Sequence, residues 1–157
     1  MTASLDALQT ALDNELAAVR QFIDILHAEA AALEQPDNFD ALNATTSQKN
    51  TCIEQLVAAG KDRELVLKQM GFTADRAGLE DAVSKHPKLR KTSQELIALG
   101  ENASALNAAN GAAIDTYLKH TQQALQALQP LVGGTSLYDA SGRPGAVKGQ
   151  RKTITAG

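Results

Sequence analysis

The sequence predicts an all-α fold, an elongated antiparallel helical bundle or coiled coil of two to three long helices with short helices between them. Alanine (28) and leucine (20) supply most of the hydrophobic residues, whereas Val and Ile together contribute 12 and the aromatics five. Sheets draw on β-branched and aromatic residues, so an all-β or α/β fold is close to excluded. Two long stretches with apolar residues every three or four positions also indicate helices. We therefore expect one helical domain with a thin core.

The first helix is predicted to occupy about 30 residues at the start of the chain. Thr2 or Ser4 can cap its beginning, and Pro36 forces its end. At 1.5 Å per residue it spans roughly 45 Å, a length that is typical of coiled coils rather than of a compact globule. Its apolar seam consists of Leu5, Leu8, Leu12, Leu16, Val19, Ile23, Leu26, Ala30 and Leu33.

A second helix should follow, capped by Asp37 or Asn38 and ended by Gly60. The middle of this helix, residues 43–48, is more polar than a helix face that packs in a core usually is. Its apolar residues are Phe39, Leu42, Ile53, Leu56 and Val57.

Residues 61–87 are predicted to be broken into short pieces. Two helical segments, Arg63–Met70 and Leu79–Lys85, alternate with residues that interrupt helices. Phe72 is the expected anchor of this region. The interrupting residues are Gly71, Gly78 and Pro87.

The second long helix is predicted from about Leu89 to Gln129, with Pro130 closing it. Gly100 and Gly111 inside it suggest close helix approach or local mobility. Residues 133–157 hold six of the eleven glycines and a basic excess, so we expect a disordered basic tail after a helical domain of residues 1–132. The seam of this helix reads Leu89, Leu96, Leu99, Ala103, Leu106, Asn110, Ile114, Leu118, Thr121, Leu125 and Leu128.

The charge distribution and the cysteine content indicate which cellular compartment and which classes of partner the protein is expected to have. Residues 1–48 carry a net charge of −7, whereas residues 49–91 carry +3. An acidic body argues against binding to a nucleic-acid duplex. Cys52 is the only cysteine, so a reducing cytosol is the expected compartment. No signal peptide and no apolar run long enough for stable membrane insertion is recognisable.

The residues that could carry chemistry do not form a catalytic set. Asp24 and His27 share a helix face, but a di-iron bundle needs two Glu-x-x-His pairs and two further glutamates. His86 and His120 lie in no phosphotransfer context, and Cys52 is expected to be a buried thiol. We therefore predict no enzyme, no metal site and no cofactor.

An interaction surface remains on the second half of the last helix. Its larger apolar side chains cover more than a narrow seam. They could be absorbed by a three-helix core, or they could offer an apolar face to a helix of another protein. The residues concerned are Leu106, Ile114, Tyr117, Leu118, Leu125, Leu128, Leu131 and Val132.

Three features resemble one known family, the FlgN-type flagellar export chaperones. The first is a long N-terminal helix followed by a broken middle. The second is a long helix that carries Asn107-Ala108-Ala109-Asn110-Gly111 and ends in Leu125 and Leu128. The third is the closing segment Ser136-Leu137-Tyr138-Asp139-Ala140-Ser141-Gly142, which a basic ending follows.

The resemblance implies a cytosolic, non-enzymatic chaperone of flagellar type III secretion. Such a protein would bind the C-terminal segments of the hook–filament junction proteins, prevent their premature assembly and deliver them to the export gate. Leu137 and Tyr138 would dock on the cytoplasmic domain of that gate, and the export ATPase complex is a further expected partner. The predicted substrate-binding residues are Leu106, Asn110, Ile114, Tyr117, Leu118, Leu125 and Leu128.

The residues leave one alternative open. The same seams could serve a helical adaptor or regulatory coiled-coil protein that associates with itself and has no catalytic activity. The resemblance favours the export chaperone, and the adaptor is the alternative.

Overall fold

The computed structural model describes residues 2–35, 37 and 39–132. Within that part of the chain every regular element is helical, which confirms the all-α prediction. The elements in order are α1 (Thr2–Leu33), α2 (Phe39–Gln69), α3 (Arg76–Lys85), a short 3₁₀ helix (Pro87–Leu89) and α4 (Arg90–Val132). The predicted basic tail, residues 133–157, lies outside the described residues.

The chain divides into two compact units, residues 1–111 and residues 112–157, and α4 contributes to both. In the first unit, Glu29 and Glu15 of α1 contact Lys49 and Arg63 of α2, so α1 and α2 run antiparallel. Asp6 and Leu26 of α1 bond to Lys88 and Asn110, so α4 runs parallel to α1. The end of α2 and the start of α4 therefore lie at the same end of the first unit, and the segment containing α3 connects them.

The core of the first unit is one cluster of buried apolar side chains, and α1 supplies half of it. The predicted α1 seam is confirmed from Leu8 to Leu26, because each of its members in that range is buried. Partly buried Phe72 packs against the cluster, as expected of an anchor. The cluster comprises Leu8, Leu12, Leu16, Val19, Ile23, Leu26, Leu67, Leu79, Ala82, Leu89, Leu96 and Ala103.

The second helix is longer than the sequence predicts, and the prediction that Gly60 ends it is wrong. α2 continues through Gly60 to Gln69, because a single glycine weakens a helix without ending it. The helix ends at Gly71, whose φ of 86° is readily adopted only by glycine. The N–H of Phe72 donates to the Leu67 carbonyl at 2.9 Å and that of Gly71 to Lys68 at 3.0 Å, which is a Schellman motif.

The third helix begins earlier than predicted, and Gly78 lies inside it rather than before it. Asp75 caps the helix by accepting a hydrogen bond from the Gly78 N–H at 2.9 Å, and the Thr73 hydroxyl donates to the same carboxylate at 2.6 Å. The chain turns so tightly here that a Cβ on Gly78 would lie 1.8 Å from the Thr73 carbonyl oxygen. Glycine is required at this position for space, not for helix termination.

The last helix agrees with its prediction apart from its ends and its glycines. Leu89 belongs to the 3₁₀ helix, and α4 extends two residues beyond Pro130. A proline so close to the end of a helix removes only its own hydrogen bond before the helix would stop anyway. A Cβ added at Gly100 or Gly111 would meet no atom within 4 Å, so the predicted close helix approach at these glycines is wrong.

Candidate functional site

A buried acid–base–amide cluster joins three helices of the first unit. The Lys49 ammonium of α2 donates to both Glu29 carboxylate oxygens of α1, at 3.1 and 3.4 Å. The Asn110 amide of α4 donates to Glu29 Oε1 at 3.0 Å and to the Leu26 carbonyl at 2.9 Å. Glu29 and Asn110 are only 2% and 5% exposed. Because its charge and its amide hydrogens are used internally, this cluster positions helices rather than performing chemistry.

A second buried ion pair lies further along the same two helices. Arg63 Nη1 of α2 donates to both Glu15 oxygens of α1, at 3.0 and 3.1 Å. Burial raises the pKa of the Glu15 carboxyl, an effect that Arg63 partly offsets and the nearby Glu64 carboxylate reinforces. The pair sits beside Gly60, where an added Cβ would make ordinary contact with Glu15 Oε1 at 3.7 Å.

The two ion pairs are features that the sequence reasoning missed. Glu15 and Glu29 are separated by 14 residues on α1, and so are Lys49 and Arg63 on α2. Two heptads place both acids on one face of α1 and both bases on one face of α2. Equal acidic and basic spacings on consecutive antiparallel helices are a signal that could have identified the pairs.

Two adjoining grooves lie between α1 and α2. Their volumes are about 400 and 370 Å³, and Gln21 and Gln55 line both. Alanines form much of the first groove, and Cys52 contributes to the second. No nucleophile–base pair faces either groove, so their lining suits side-chain packing better than catalysis.

Cys52 is a buried thiol, as predicted. Its Sγ lies 3.6 Å from the Ala18 carbonyl oxygen, and burial raises its pKa. A raised pKa disfavours the thiolate, which is the reactive form of cysteine. Cys52 therefore packs α2 against α1.

The described part of the chain brings no three potential metal-ligating side chains together. None of its helices combines the length and apolarity that crossing a bilayer requires.

The exposed surface of greatest chemical interest lies in the second unit. Among the side chains of residues 112–131, none is buried. Ile114, Leu118 and Leu125 are half-buried, whereas Leu128 and Leu131 are 51% and 81% exposed. Steps of three and four residues place them on one side of the helix. We call Ile114, Leu118, Leu125, Leu128 and Leu131, together with half-buried Tyr117, the distal face.

The structure divides the predicted substrate-binding residues between the two units. Leu106 packs against the core of the first unit, and Asn110 is buried there in the Glu29 cluster. Both residues therefore serve the fold in this conformation. Leu131, which was not among the predicted substrate-binding residues, belongs to the distal face because its side chain is highly exposed. The predicted gate-docking residues, Leu137 and Tyr138, lie outside the described residues.

Comparison with known proteins identifies the family. The family model described as FlgN protein matches residues 1–145, which cover α1 to α4.

The chain belongs to the FlgN family.

FlgN proteins are flagellar export chaperones, so the chain is a chaperone of flagellum biogenesis, and the family is not known for catalysis. Membership also implies binding to flagellar substrate proteins. Neither curated proteins nor solved structures provide a significant match. The family resemblance expected from the sequence is thereby confirmed, on a match that includes the whole helical region.

Proposed function

We propose that this FlgN protein is a cytosolic chaperone that binds the C-terminal segments of the hook–filament junction proteins on its distal face. By covering those segments it prevents premature assembly, and it then delivers the junction proteins to the export gate. The observation that carries the proposal is the exposure of Leu128 and Leu131 on a helical segment with no buried side chain. Exposed apolar surface of this kind marks a site for a partner.

The spacing of the distal face suits a helical client. Apolar residues in steps of three and four form a stripe that an amphipathic helix can lie against, as in helix-in-groove recognition. A client segment that folds on binding loses conformational entropy, which offsets part of the free energy of burial. The resulting moderate affinity is compatible with release during export.

Delivery to the gate is assigned to the end of the chain. By the family resemblance, Leu137 and Tyr138 dock on the cytoplasmic domain of the export gate. The export ATPase complex is a further proposed partner. These two contacts are separate in sequence from the distal face, so client binding and gate docking can be tested independently.

The client site is tested by measuring binding of the full chain to C-terminal segments of both junction proteins. Leu125→Asp combined with Leu128→Asp should abolish binding, because two unpaired carboxylates would be buried against the client. Leu65→Asp is the matched control, since Leu65 is 55% exposed on α2 of the first unit. Circular dichroism should remain largely helical for both variants. A chain that binds neither segment at micromolar concentration rules the proposal out.

The same preparation distinguishes a chaperone from the self-associating adaptor. Light scattering of the free chain should show no tight dimer, and added junction-protein segment should form a mixed complex. A stable dimer that loses its stability in the Leu125→Asp, Leu128→Asp variant and ignores the segments would support the adaptor instead.

Gate docking has its own test. Tyr138→Ala should weaken binding to the cytoplasmic domain of the export gate and leave binding of the junction-protein segments unchanged. Loss of the segments in this variant would contradict the proposed division of roles.

A further inference from the structure

The last part of α4, residues 120–132, carries no charged side chain. Lys119 is the last charged residue of the helix, and residues 120–132 contain no Asp, Glu, Lys or Arg. Side chains along this stretch are exposed or half-buried throughout residues 120–131. Charged side chains normally cover the exposed part of a surface helix, so a leucine stripe without charged borders is unusual for a solvent-facing segment.

The two borders of the stripe differ in chemistry. At 100° per residue, Gln122 and Gln129 lie together along one side of the leucines, Ala127 lies along the other side, and Ala124 lies between Leu128 and Leu131. All four side chains are exposed. One border can form neutral amide hydrogen bonds, and the other allows close approach of a second helix.

From this arrangement we infer that the client segment facing residues 121–131 is itself an uncharged helix, and that its binding is nearly independent of salt. The inference rests on the proposed function and specifies the chemistry of the client. The matching helix presents apolar residues in steps of three and four, bordered by amides or small side chains.

The physical reason is the cost of burying an unpaired charge. A Lys or Glu on the docked surface of the client would lose water without meeting an opposite charge along residues 121–131. The distal face therefore discriminates against charged amphipathic helices, which are common on protein surfaces, and accepts neutral ones. The charges nearest the stripe, Asp115 and Lys119, are four residues apart and can pair with each other across one helical turn.

Salt dependence tests the inference directly. The full chain is titrated with each junction-protein C-terminal segment at 50 and 500 mM NaCl. We expect the dissociation constant to change by less than about twofold, because no ion pair is formed across the stripe. A tenfold weakening at high salt would reject the inference and leave the proposed function standing. Absence of binding at both concentrations would reject the proposed function and the inference with it.

Two neighbouring glutamines provide a matched pair of variants. Gln122→Lys places a charge beside the stripe, whereas Gln123→Lys places the same charge on the opposite side of the helix. Gln122→Lys should weaken client binding at least tenfold, and Gln123→Lys should change it less than twofold. Equal effects of the two variants, or tighter binding by Gln122→Lys, would overturn the inference.

Discussion

The two halves of α4 share the spacing of their apolar residues but differ in burial. Between Arg90 and Asn110 the helix buries Ser93, Leu96 and Ala103 as well as Asn110 itself. From Ala112 to Leu131 it buries nothing, although its apolar residues continue at the same spacing. The proximal half therefore uses its apolar side chains in the core of the first unit, and the distal half keeps its apolar side chains available.

Under the proposed function, one continuous helix serves both stability and binding. Local stability follows the number of buried contacts, so the proximal half is expected to open only with the core. We expect the distal half to open at a lower cost in free energy, which would suit the proposed binding and release of a client. Asn110 is the last buried residue before this change and ties the proximal half to α1.

The largest expected difference in stability is between the truncation of a buried leucine and the truncation of an exposed leucine of the distal face. Leu12→Ala removes a fully buried α1 side chain and should lower the free energy of unfolding by about 2–5 kcal/mol. Leu128→Ala, at 51% exposure, should change it by less than about 0.5 kcal/mol. Chemical denaturation of both variants measures the contrast. Equal losses would mean that the distal leucine is buried in solution.

The glycines provide a second contrast. Gly78→Ala should lower the free energy of unfolding by about 1–3 kcal/mol, because its Cβ would collide with the Thr73 carbonyl. Gly100→Ala should raise it by about 0.5–1 kcal/mol, since that helical position is open and alanine favours helix. Thermal unfolding of the two variants should shift in opposite directions. A stabilised Gly78→Ala variant would contradict the tight turn.

Asn107 and Asn110, three residues apart on α4, test where the buried part of the helix ends. Asn110→Ala removes the amide that bonds to Glu29 and to the Leu26 carbonyl, and should cost about 1–3 kcal/mol. Asn107→Ala changes an exposed side chain and should cost less than about 0.5 kcal/mol. Hydrogen exchange should also show faster opening of the proximal half in Asn110→Ala alone. Equal protection in both variants would remove the anchoring role of Asn110.

The smallest expected effect is a pH dependence from Glu15. Because burial raises its pKa above the ordinary value near 4.5, the folded chain binds more protons than the unfolded chain just above that pH. The contribution of Glu15 is therefore full below about 4.5, and the free energy of unfolding falls as pH rises through the raised pKa. Glu15→Gln should flatten this part of the stability profile. An unchanged profile would assign the dependence to other groups.

Much of the fold follows from sequence periodicity, whereas the interruptions do not. The α1 seam was predictable because its leucines recur at helical spacing, and Pro36 marks its end. The role of Gly60 was misjudged, because a glycine beside a buried carboxylate and a glycine ending a helix look alike in one dimension. Gly78 was misjudged for the same reason, since its requirement comes from the Thr73 backbone oxygen.

The candidate site was predictable in part. Spacing placed Ile114, Leu118 and Leu125 on one helix face, but it could not show where burial stops along α4. Leu106 and Asn110 continue the same spacing and yet lie within the first unit. Asn110 is buried because α1 lies beside it, and the spacing along α4 alone does not reveal that neighbour.

The two buried ion pairs also affect how the α1–α2 hairpin folds. Two antiparallel helices that slide by seven residues bring the same two faces together again. After such a slip, Glu15 and Glu29 would face Met70 and Leu56 in one direction, or Leu56 and Leu42 in the other. Each misaligned hairpin would bury two carboxylates without a base, at a cost of several kcal/mol. We therefore expect the two ion pairs to favour the native alignment of α1 and α2 over alignments shifted by seven residues.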